Sequence, residues 1–385
     1  MKKNKHIKFR HKVVFKLLKP FFKLFFKLKY NTVTYKYKLN KGPHIILSNH
    51  LAVLDPFVLA SSFTRPVYFM ASEDLSSTKY SKYINWLVAP IYKAKSKSDL
   101  GAVKDCLRVV KEGGTICIFP EGNRSYDGTL CKIEESIAKM VKLLKVPLVL
   151  YNIKGSYGTD PRWAKKARRG LSYGRVKRVL SVEEIQELSN EELYNLIIKE
   201  LTVPQVPTTI KYKSKASAEG LERILYICPK CGKLHELYSE GDYINCRACG
   251  LKVKYTENLT FETDDSDFKF KYVSDWYQYQ KAYVKTFNME KAFTYKDEGV
   301  TLFTVEKGSE RKEVITGTMI MNNTTLSVGD ISFELSQIDN MTVLGKHKMN
   351  MYVNGLTYQF KGDDDLNVVK YLHMYTHLYE KEETV

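Results

Sequence analysis

The chain has 385 residues, of which 44% are hydrophobic and 27% charged, and its formal net charge is +18. These proportions are those of a globular protein and exclude a disordered chain, and the length favours two or three domains. The excess of positive charge predicts an anionic partner, either a nucleic acid or an anionic membrane surface. Charge alone leaves open a third interpretation, a solvated basic tail.

The first 54 residues contain thirteen lysines and one arginine but no acidic residue. Five of these lysines recur every three or four positions and share one helical face: Lys12, Lys16, Lys19, Lys23 and Lys27. The rest of the helix is apolar, with Phe15, Leu18, Phe22, Phe25 and Phe26. This pattern predicts that residues 1–30 form a basic amphipathic helix in the membrane interface, and packing of the apolar face on the chain's own domain is the alternative. Pro20 is expected to kink this helix or to begin a second one.

No apolar run approaches the roughly 20 residues that span a bilayer, and no small-residue cleavage site follows the basic start. We therefore expect a cytoplasmic protein that is peripheral on the inner face of the cell membrane. Four of the seven cysteines stand in CxxC pairs, which fits a reducing compartment and a metal site better than disulfides.

The stretch "GPHIILSNHLAVLDPF", residues 42–57, predicts a turn, a buried strand, a loop and the start of a helix with Pro56 in its first turn. His50 and Asp55 then lie at the strand–loop–helix junction, where α/β proteins commonly place reacting groups. A histidine oriented by a carboxylate can act as a general base. A histidine and an aspartate five positions apart also arise by chance, and in isolation a structural histidine is the better explanation of the pair.

A second segment, "KEGGTICIFPEGNRSYDG" at residues 111–128, predicts a helix end, an apolar strand and a polar loop. The loop contains Glu121, Gly122 and Arg124. A glycine there permits close approach of backbone to a ligand, and the arginine offers a planar fork suited to a phosphate. An ordinary strand exit would not explain this combination.

Together these segments resemble the glycerophospholipid acyltransferase family, most of all the 1-acylglycerol-3-phosphate acyltransferases. "NHLAVLD" matches the family's NHxxxxD motif, and "FPEGNRS" matches its FPEGTRS motif with Asn123 in place of the usual threonine. "VPLVLYNIKGS", residues 146–156, is similar to the family's proline-containing fourth motif. The resemblance covers about residues 30–180 and implies an α/β domain, a mixed sheet flanked by helices.

The resemblance also implies a reaction. His50 would take the proton from the sn-2 hydroxyl of 1-acylglycerol 3-phosphate while that oxygen attacks the thioester of acyl-CoA or acyl carrier protein, giving phosphatidic acid. Asp55 would orient His50. Glycerol 3-phosphate or another lysolipid are alternative acceptors. The seven cysteines offer no competing nucleophile, because Cys106, Cys117 and Cys131 have no histidine beside them in sequence.

Substrate contacts follow from the same resemblance. Glu121 and Gly122 would hold the glycerol backbone, and Arg124 would bind the phosphate together with Lys95. The family's second motif usually ends in arginine, whereas "APIYKAKSKSD" has lysine, which keeps the charge without the bidentate fork. Lys93 and Lys97 are alternatives to Lys95. A further basic cluster with Trp163 in its midst, residues 161–178, is interpreted either as a rim that captures lipid or acyl-carrier phosphates or as a solvated face.

The segment "CPKCGKLHELYSEGDYINCRACG" contains two CxxC knuckles fourteen residues apart, formed by Cys228, Cys231, Cys246 and Cys249. Four thiolates make a closed tetrahedral site, so we expect a zinc ribbon with a structural zinc ion, and the spacing leaves iron open. His235 is interpreted as an exposed loop residue. A ribbon on a basic protein raises the possibility of nucleic-acid binding, which the acidic stretch 257–267 disfavours.

The remaining chain alternates short strands between a helix near 274–288 and a final helix from residue 365. This order resembles a β-rich PH or GRAM domain, and His373 and His377 are interpreted as helix-face residues. We predict four regions: a membrane-interface helix (1–30), an acyltransferase domain (31–212), a zinc ribbon (213–256) and the β-rich domain (257–385). A catalytically inactive zinc-ribbon membrane adaptor is the non-enzyme alternative, which the intact His50–Asp55 pair disfavours.

Overall fold

A computed structural model describes residues 5–76, 81–93, 100–204, 209–286, 293–305 and 311–379. The chain divides into two compact units. The first consists of Met1–Arg162 and Ala167–Lys213, and the second of Trp163–Lys166 and Ser214–Val385.

The first unit is built on one mixed sheet with helices between its strands. Its described helices are α1 Phe9–Tyr30, α2 Asp55–Ser62, α3 Ser81–Val88, α4 Leu100–Lys111, α5 Ser136–Leu144, α6 Ser156–Thr159, α7 Val182–Glu187 and α8 Asn190–Leu201. Its described strands are β1 Thr32–Thr34, β2 Ile45–Ser48, β3 Val67–Ser72, β4 Ile91–Lys93, β5 Thr115–Ile118, β6 Leu148–Lys154 and β7 Ser172–Leu180. The strands lie in the order β1-β7-β6-β2-β5-β3-β4, and only the β6–β7 pairing is antiparallel.

The central strands β2 and β5 are short and buried along their whole length. Uninterrupted apolar runs of this kind form strands whose two faces are both covered, as a parallel sheet with helices on each side requires. One apolar cluster contains Ile45, Leu47 and the helices α4, α5 and α8, while another contains Ile46, Val149 and part of α2. The predicted α/β domain, a mixed sheet flanked by helices, is thus confirmed.

Helix α1 is continuous from Phe9 to Tyr30 with Pro20 inside it, so of the two alternatives for Pro20 the start of a second helix is excluded. It ends where Asn31 adopts a left-handed conformation and its amide donates to the carbonyls of Lys27 and Phe26. Among the described residues, no helix combines the length and hydropathy needed to cross a bilayer.

The apolar residues of α1 divide between two faces of the helix. Phe26 and Tyr30 are buried with Val58 of α2, and Phe22 and Phe25 pack against this cluster. The predicted face thus lies largely on the chain's own domain, as the alternative interpretation expected. A different stripe is exposed, formed by Phe9, Val13, Leu17, Phe21, Leu24 and Leu28. These six residues recur every three or four positions and therefore share one side of the helix.

The second unit contains two antiparallel sheets and two helices. The smaller sheet has the order β11-β10-β9-β8, with β8 Leu237–Glu240, β9 Tyr243–Cys246, β10 Lys252–Tyr255 and β11 Phe261–Glu262. The larger has the order β15-β14-β13-β12-β18-β17-β16, with β12 Tyr295–Val305, β13 Arg311–Met321, β14 Thr325–Val328, β15 Ile331–Glu334, β16 Ile338–Leu344, β17 Lys348–Val353 and β18 Leu356–Lys361. The helices are α9 Val273–Lys285 and α10 Val369–Tyr379. The predicted β-rich C-terminal region with a final helix is confirmed.

Candidate active site and candidate metal centre

The register of two neighbouring strands brings the two predicted motifs together. Strands β2 and β5 are parallel, and Leu47 is aligned with Ile118. His50 and Glu121 each follow this aligned pair by three residues, so both lie beyond the same edge of the sheet. Carboxyl ends of parallel strands are where open α/β sheets bind ligands. The backbone amide of His50 donates to Glu121 Oε1 at 2.6 Å, which joins the motifs directly.

His50 and Asp55 form the expected pair, with 3.1 Å between His50 Nδ1 and Asp55 Oδ2. The same carboxylate oxygen accepts from the amides of Leu51 and Ala52 at 2.6 and 2.7 Å. Asp55 is 1% exposed and begins α2, where a carboxylate is favoured by the free amides of the helix start. Since Asp55 accepts at Nδ1, that nitrogen carries the proton and Nε2 has the free lone pair that a base needs.

The imidazole of His50 is also held from the side by an aromatic ring. It stacks on Phe119, with 4.3 Å between ring centroids and 27° between their planes. Phe119 in turn stacks on Phe69. With one ring nitrogen bonded to a buried carboxylate and one ring face covered, the imidazole has a defined orientation, which general-base catalysis requires.

Glu121 is buried and bonded to the backbone of two segments. Its Oε1 accepts from His50 and its Oε2 accepts from the amide of Cys131 at 2.8 Å. Burial raises the pKa of this carboxyl from 4.5 to about 7, although the amide bonds from Cys131 and His50 favour the charged form and lower it. The predicted contact between Glu121 and the glycerol backbone stays a prediction. The geometry shows that the carboxylate of Glu121 holds the backbone of His50.

The polar loop after β5 presents Gly122 and Arg124. Gly122 has a φ of +66° with open space around it, so backbone conformation rather than crowding accounts for glycine at this position. Burial, together with the nearby positive charge of Arg162, lowers the pKa of Arg124 to about 10. The loop is tied to the base, because the amide of Ser125 donates to the carbonyl of His50 at 2.9 Å. Lys95, the second predicted phosphate contact, lies outside the described residues.

The basic cluster at 161–178 is not a single solvated face. Arg162, Trp163 and Arg168 are all buried. Arg162 belongs to the first unit, while Trp163 belongs to the second. Trp163 was the residue that indicated burial in this segment, but the many basic residues around it favoured the interpretation as an exposed surface. Arg162 was missed as a site residue, although it lies beside the loop that carries Arg124.

An apolar pocket opens beside the His50–Asp55 pair. Its lining combines the C-terminal end of α1, the start of α2 and the short helix α6: Phe26, Tyr30, Thr32, Ala52, Leu54, Asp55, Val58, Ser156, Thr159 and Asp160. The pocket is small, and Asp55 of the His50–Asp55 pair contributes to its lining.

Asn49 is a second residue that the sequence argument did not single out, although it immediately precedes the base. Its side-chain amide donates to the carbonyl of Ile153 and accepts from the amide of the same residue, both at 2.8 Å. Asn49 thereby continues the pairing of β2 with β6 beyond the strand end. This fixes the backbone from which His50 projects, and its signal in the sequence was an amide side chain at the end of a buried strand.

The cysteine positions argue against thiol chemistry at this site. Cys106 and Cys117 are fully buried, and burial raises the pKa of the Cys106 thiol to about 12. Burial also raises the pKa of Cys131, beside the carboxylate of Glu121. These thiols remain protonated at neutral pH and are poor nucleophiles.

In the second unit, the four predicted cysteines converge. The sulfur atoms of Cys228, Cys231, Cys246 and Cys249 all lie within 4.8 Å of one another. Cys228 Sγ and Cys249 Sγ are 3.6 Å apart, and Cys231 Sγ and Cys246 Sγ are 3.8 Å apart. A tetrahedral ion with metal–sulfur bonds of about 2.3 Å places its ligands about 3.8 Å apart, so the four thiols fit zinc. His235 is exposed and stands apart from this cluster.

Two parts of the chain match known protein families. Residues 30–154 match the family model described as Acyltransferase. Residues 221–257 match a zinc-ribbon model described as DNA directed RNA polymerase, 7 kDa subunit. The predicted acyltransferase resemblance and the predicted zinc ribbon are both confirmed.

Individual relatives are similar to the first module. A protein named 1-acyl-sn-glycerol-3-phosphate acyltransferase from Borreliella burgdorferi is 27% identical over 165 residues, covering 41% of this chain and 64% of its own length. One of the same name from Saccharomyces cerevisiae is 27% identical over 158 residues, covering 38% of this chain and 50% of its own length. The chain thus spans between half and two thirds of these relatives. The crystal structure of the 1-acyl-sn-glycerophosphate (LPA) acyltransferase from Thermotoga maritima covers 50% of this chain and 78% of its own, with 20% identity and a TM-score of 0.43.

Proposed function

We propose that the chain is an O-acyltransferase that moves a fatty acyl group from a thioester donor to the sn-2 hydroxyl of 1-acylglycerol 3-phosphate. The observation that carries this proposal is the buried Asp55 carboxylate 3.1 Å from Nδ1 of His50, beyond the carboxyl ends of two parallel strands. The names of the relatives supply the acceptor, and the guanidinium of Arg124 in the adjoining loop suits its phosphate.

The proposed acyl transfer is direct and forms no covalent enzyme intermediate. His50 Nε2 takes the proton of the acceptor hydroxyl while its oxygen forms a bond to the thioester carbonyl carbon. Asp55 stabilises the resulting imidazolium through Nδ1. When the carbon–sulfur bond breaks, the imidazolium returns the proton to the departing thiolate, so an ester and a free thiol leave and the base is regenerated. The donor thiol belongs to coenzyme A or to acyl carrier protein.

We also propose that the exposed stripe of α1 docks on the anionic inner surface of the cell membrane. Six apolar side chains lie along one side of the helix, and Phe21 and Leu24 are 62% and 60% exposed. Lysines flank this stripe, which suits anionic headgroups. Helix α3 adds Tyr83 and Trp86, both exposed, and Arg10 of α1 lies 5.3 Å over the Trp86 ring. Docked in this way, the pocket that begins at Phe26 lies close to the lipid that supplies the acceptor.

The four-cysteine cluster is proposed to hold a structural zinc ion. Cys228, Cys231, Cys246 and Cys249 fill all four tetrahedral positions, so the ion would supply folding energy and not a reactive water. No step of the acyl transfer involves it.

The reaction is tested with purified protein on liposomes containing phosphatidylglycerol, with 1-acylglycerol 3-phosphate and either acyl-CoA or acyl carrier protein thioester. Phosphatidic acid is expected from the wild type and not from His50→Ala, while the exposed His235→Gln variant serves as control. Glycerol 3-phosphate and other lysolipids form the second set of acceptors. Failure of the wild type with every acceptor and both donors would refute the enzyme and favour a membrane adaptor.

Docking is tested by sedimentation with vesicles of phosphatidylglycerol and, in parallel, of phosphatidylcholine. Phe21→Glu combined with Leu24→Glu is expected to abolish binding to the anionic vesicles. Leu143→Glu is the matched control, because Leu143 is an exposed leucine of α5 outside the stripe. Equal binding by both variants would overturn the proposed surface.

A further inference from the structure

We propose that Arg162 is a second phosphate-binding residue of the acyltransferase domain, acting beside Arg124, and that it selects acceptors bearing a phosphate monoester. The inference rests on the proposed function and names a residue outside the two motifs from which that function was argued. It is carried by the contacts of Arg162 with the loop that holds Arg124.

The guanidinium of Arg162 is fixed by three contacts to one loop. Its Nη1 lies 3.4 Å from Asn123 Oδ1 and 3.4 Å from the backbone oxygen of Arg124, and it donates to both. Its Cζ lies 4.5 Å from the centre of the Tyr126 ring, in cation–π geometry. Arg162 itself is 3% exposed. A long cationic side chain held in this way has already lost the conformational freedom that ligand binding would otherwise remove.

The charges around Arg124 are suited to a doubly charged anion. The positive charge of Arg162 lowers the pKa of Arg124, after the larger effect of burial, whereas Asp160 and Asp55 raise it. Asp55 accepts from His50 and is engaged in the catalytic pair. The guanidinium group of Arg162 thus adds a second positive charge close to that of Arg124. A phosphate monoester carries close to two negative charges at neutral pH, and guanidinium groups bind such oxygens through paired hydrogen bonds.

This location is connected to the base. Ser125 follows Arg124 and donates its amide to the carbonyl of His50 at 2.9 Å. The loop that presents Arg124 and contacts Arg162 is thus hydrogen bonded to the segment that presents the imidazole. A phosphate bound to the loop would hold the glycerol of the same molecule near His50, which is the positioning that a direct transfer needs.

The departure of this chain from the motif FPEGTRS is consistent with the assignment. Where that motif has threonine, this chain has Asn123, and its amide oxygen is the atom that accepts from Arg162. A threonine hydroxyl lies one bond closer to the backbone and would fall short of the 3.4 Å contact. Asn123 therefore acts as a positioning residue for Arg162.

The experiment compares Arg162→Ala and Arg162→Lys with Arg108→Ala, an exposed arginine of α4 paired with Asp105. Initial rates are measured with 1-acylglycerol 3-phosphate and with phosphate-free 1-acylglycerol as acceptors. Arg162→Ala is expected to raise KM for the phosphorylated acceptor about 10- to 100-fold, the effect of losing a charged hydrogen-bond donor, with kcat within about threefold. Arg162→Lys is expected to fall between wild type and Arg162→Ala. The control is expected to match the wild type.

A second readout separates this inference from the reaction itself. Equilibrium binding of each lipid is measured in neutral detergent micelles without a donor, so the result does not depend on transfer. The Kd for 1-acylglycerol 3-phosphate is expected to rise by the same factor as KM, while that for 1-acylglycerol stays unchanged.

The outcomes are distinct. A loss of kcat that is equal for both acceptors, with Kd unchanged, would assign Arg162 a structural role and overturn the inference. Tight phosphate-dependent binding by a wild type that transfers to no acceptor would support Arg162 while refuting the proposed reaction. If Arg162→Ala fails to fold, Arg162→Lys and Asn123→Thr are compared with the wild type instead. A KM for 1-acylglycerol 3-phosphate within twofold of wild type in both variants would refute the inference.

Discussion

Replacement of Asp55 by asparagine tests the negative charge of the carboxylate, because asparagine has nearly the same shape without the charge. Asp55 Oδ2 accepts from His50 Nδ1 at 3.1 Å and from the amides of Leu51 and Ala52. Asparagine keeps an oxygen that can accept these bonds, so the loop should hold its conformation. It removes the negative charge that stabilises the imidazolium in the transition state.

The expected loss follows from that distance. A unit charge pair 3.1 Å apart interacts with about 5 kcal/mol at an effective dielectric constant of about 20. The asparagine carbonyl dipole recovers part of this, which leaves a loss of about 4 kcal/mol. At 1.36 kcal/mol for each factor of ten, kcat is expected to fall about 10³-fold.

The assay is the liposome transfer reaction at saturating donor, with kcat and KM determined separately for Asp55→Asn. Asp105→Asn is the matched control, because Asp105 is an exposed carboxylate of α4 that pairs with Arg108. Circular dichroism and denaturant unfolding establish that both variants are folded. A folded Asp55→Asn protein with kcat within tenfold of wild type would refute the role assigned to this carboxylate.

Three further predictions concern burial and the metal. Because burial raises the pKa of Glu121 from 4.5 to about 7, the native state favours its neutral form. Protonation of Glu121 therefore contributes about 3 kcal/mol to the free energy of unfolding below about pH 4.5, and this contribution is lost as the pH rises through 7. In urea unfolding between pH 5 and 8, Glu121→Gln should make the free energy of unfolding less dependent on pH. The same pH dependence in wild type and variant would contradict this prediction. Cys249→Ser should lose bound zinc, measured by elemental analysis, whereas Cys131→Ser should retain it. Unchanged metal content in Cys249→Ser would exclude the four-thiol site, and iron in the wild type would show that the ion is not zinc. Lys370 Nζ lies 2.6 Å from Asp297 and is 1% exposed, so Lys370→Met should lower the free energy of unfolding by about 3–5 kcal/mol by leaving that carboxylate without its buried partner. The double variant Lys370→Met/Asp297→Leu should recover most of this loss, and a single variant as stable as wild type would show that the pair contributes nothing.

The elements that carry the chemistry were predictable because their signals are local. The run "IILS", which begins with two β-branched residues, forms β2, and Pro56 lies in the first turn of α2 as expected. The two CxxC knuckles specify their own geometry through short turns, so the four thiols converge whatever surrounds them. These predictions needed no knowledge of which segments meet.

Helix α1 illustrates where a local pattern stops being sufficient. Its periodicity shows which residues share a face, but two apolar faces are present. The structure buries the face that contains Phe22 and Phe26 against Val58, and leaves the one that contains Phe21 and Leu24 exposed. The choice depends on packing against α2, a segment that lies about thirty residues further along the chain.

The sequence by itself predicted the His50–Asp55 pair and the four thiols, because each is encoded by residue type at a fixed short spacing. Only the tertiary structure decided what Glu121 and Arg162 contact. Glu121 reaches the amide of His50 across 71 positions, and Arg162 reaches Asn123 across 39. Such contacts follow from strand register and from the packing of distant segments, and no window of the sequence contains them.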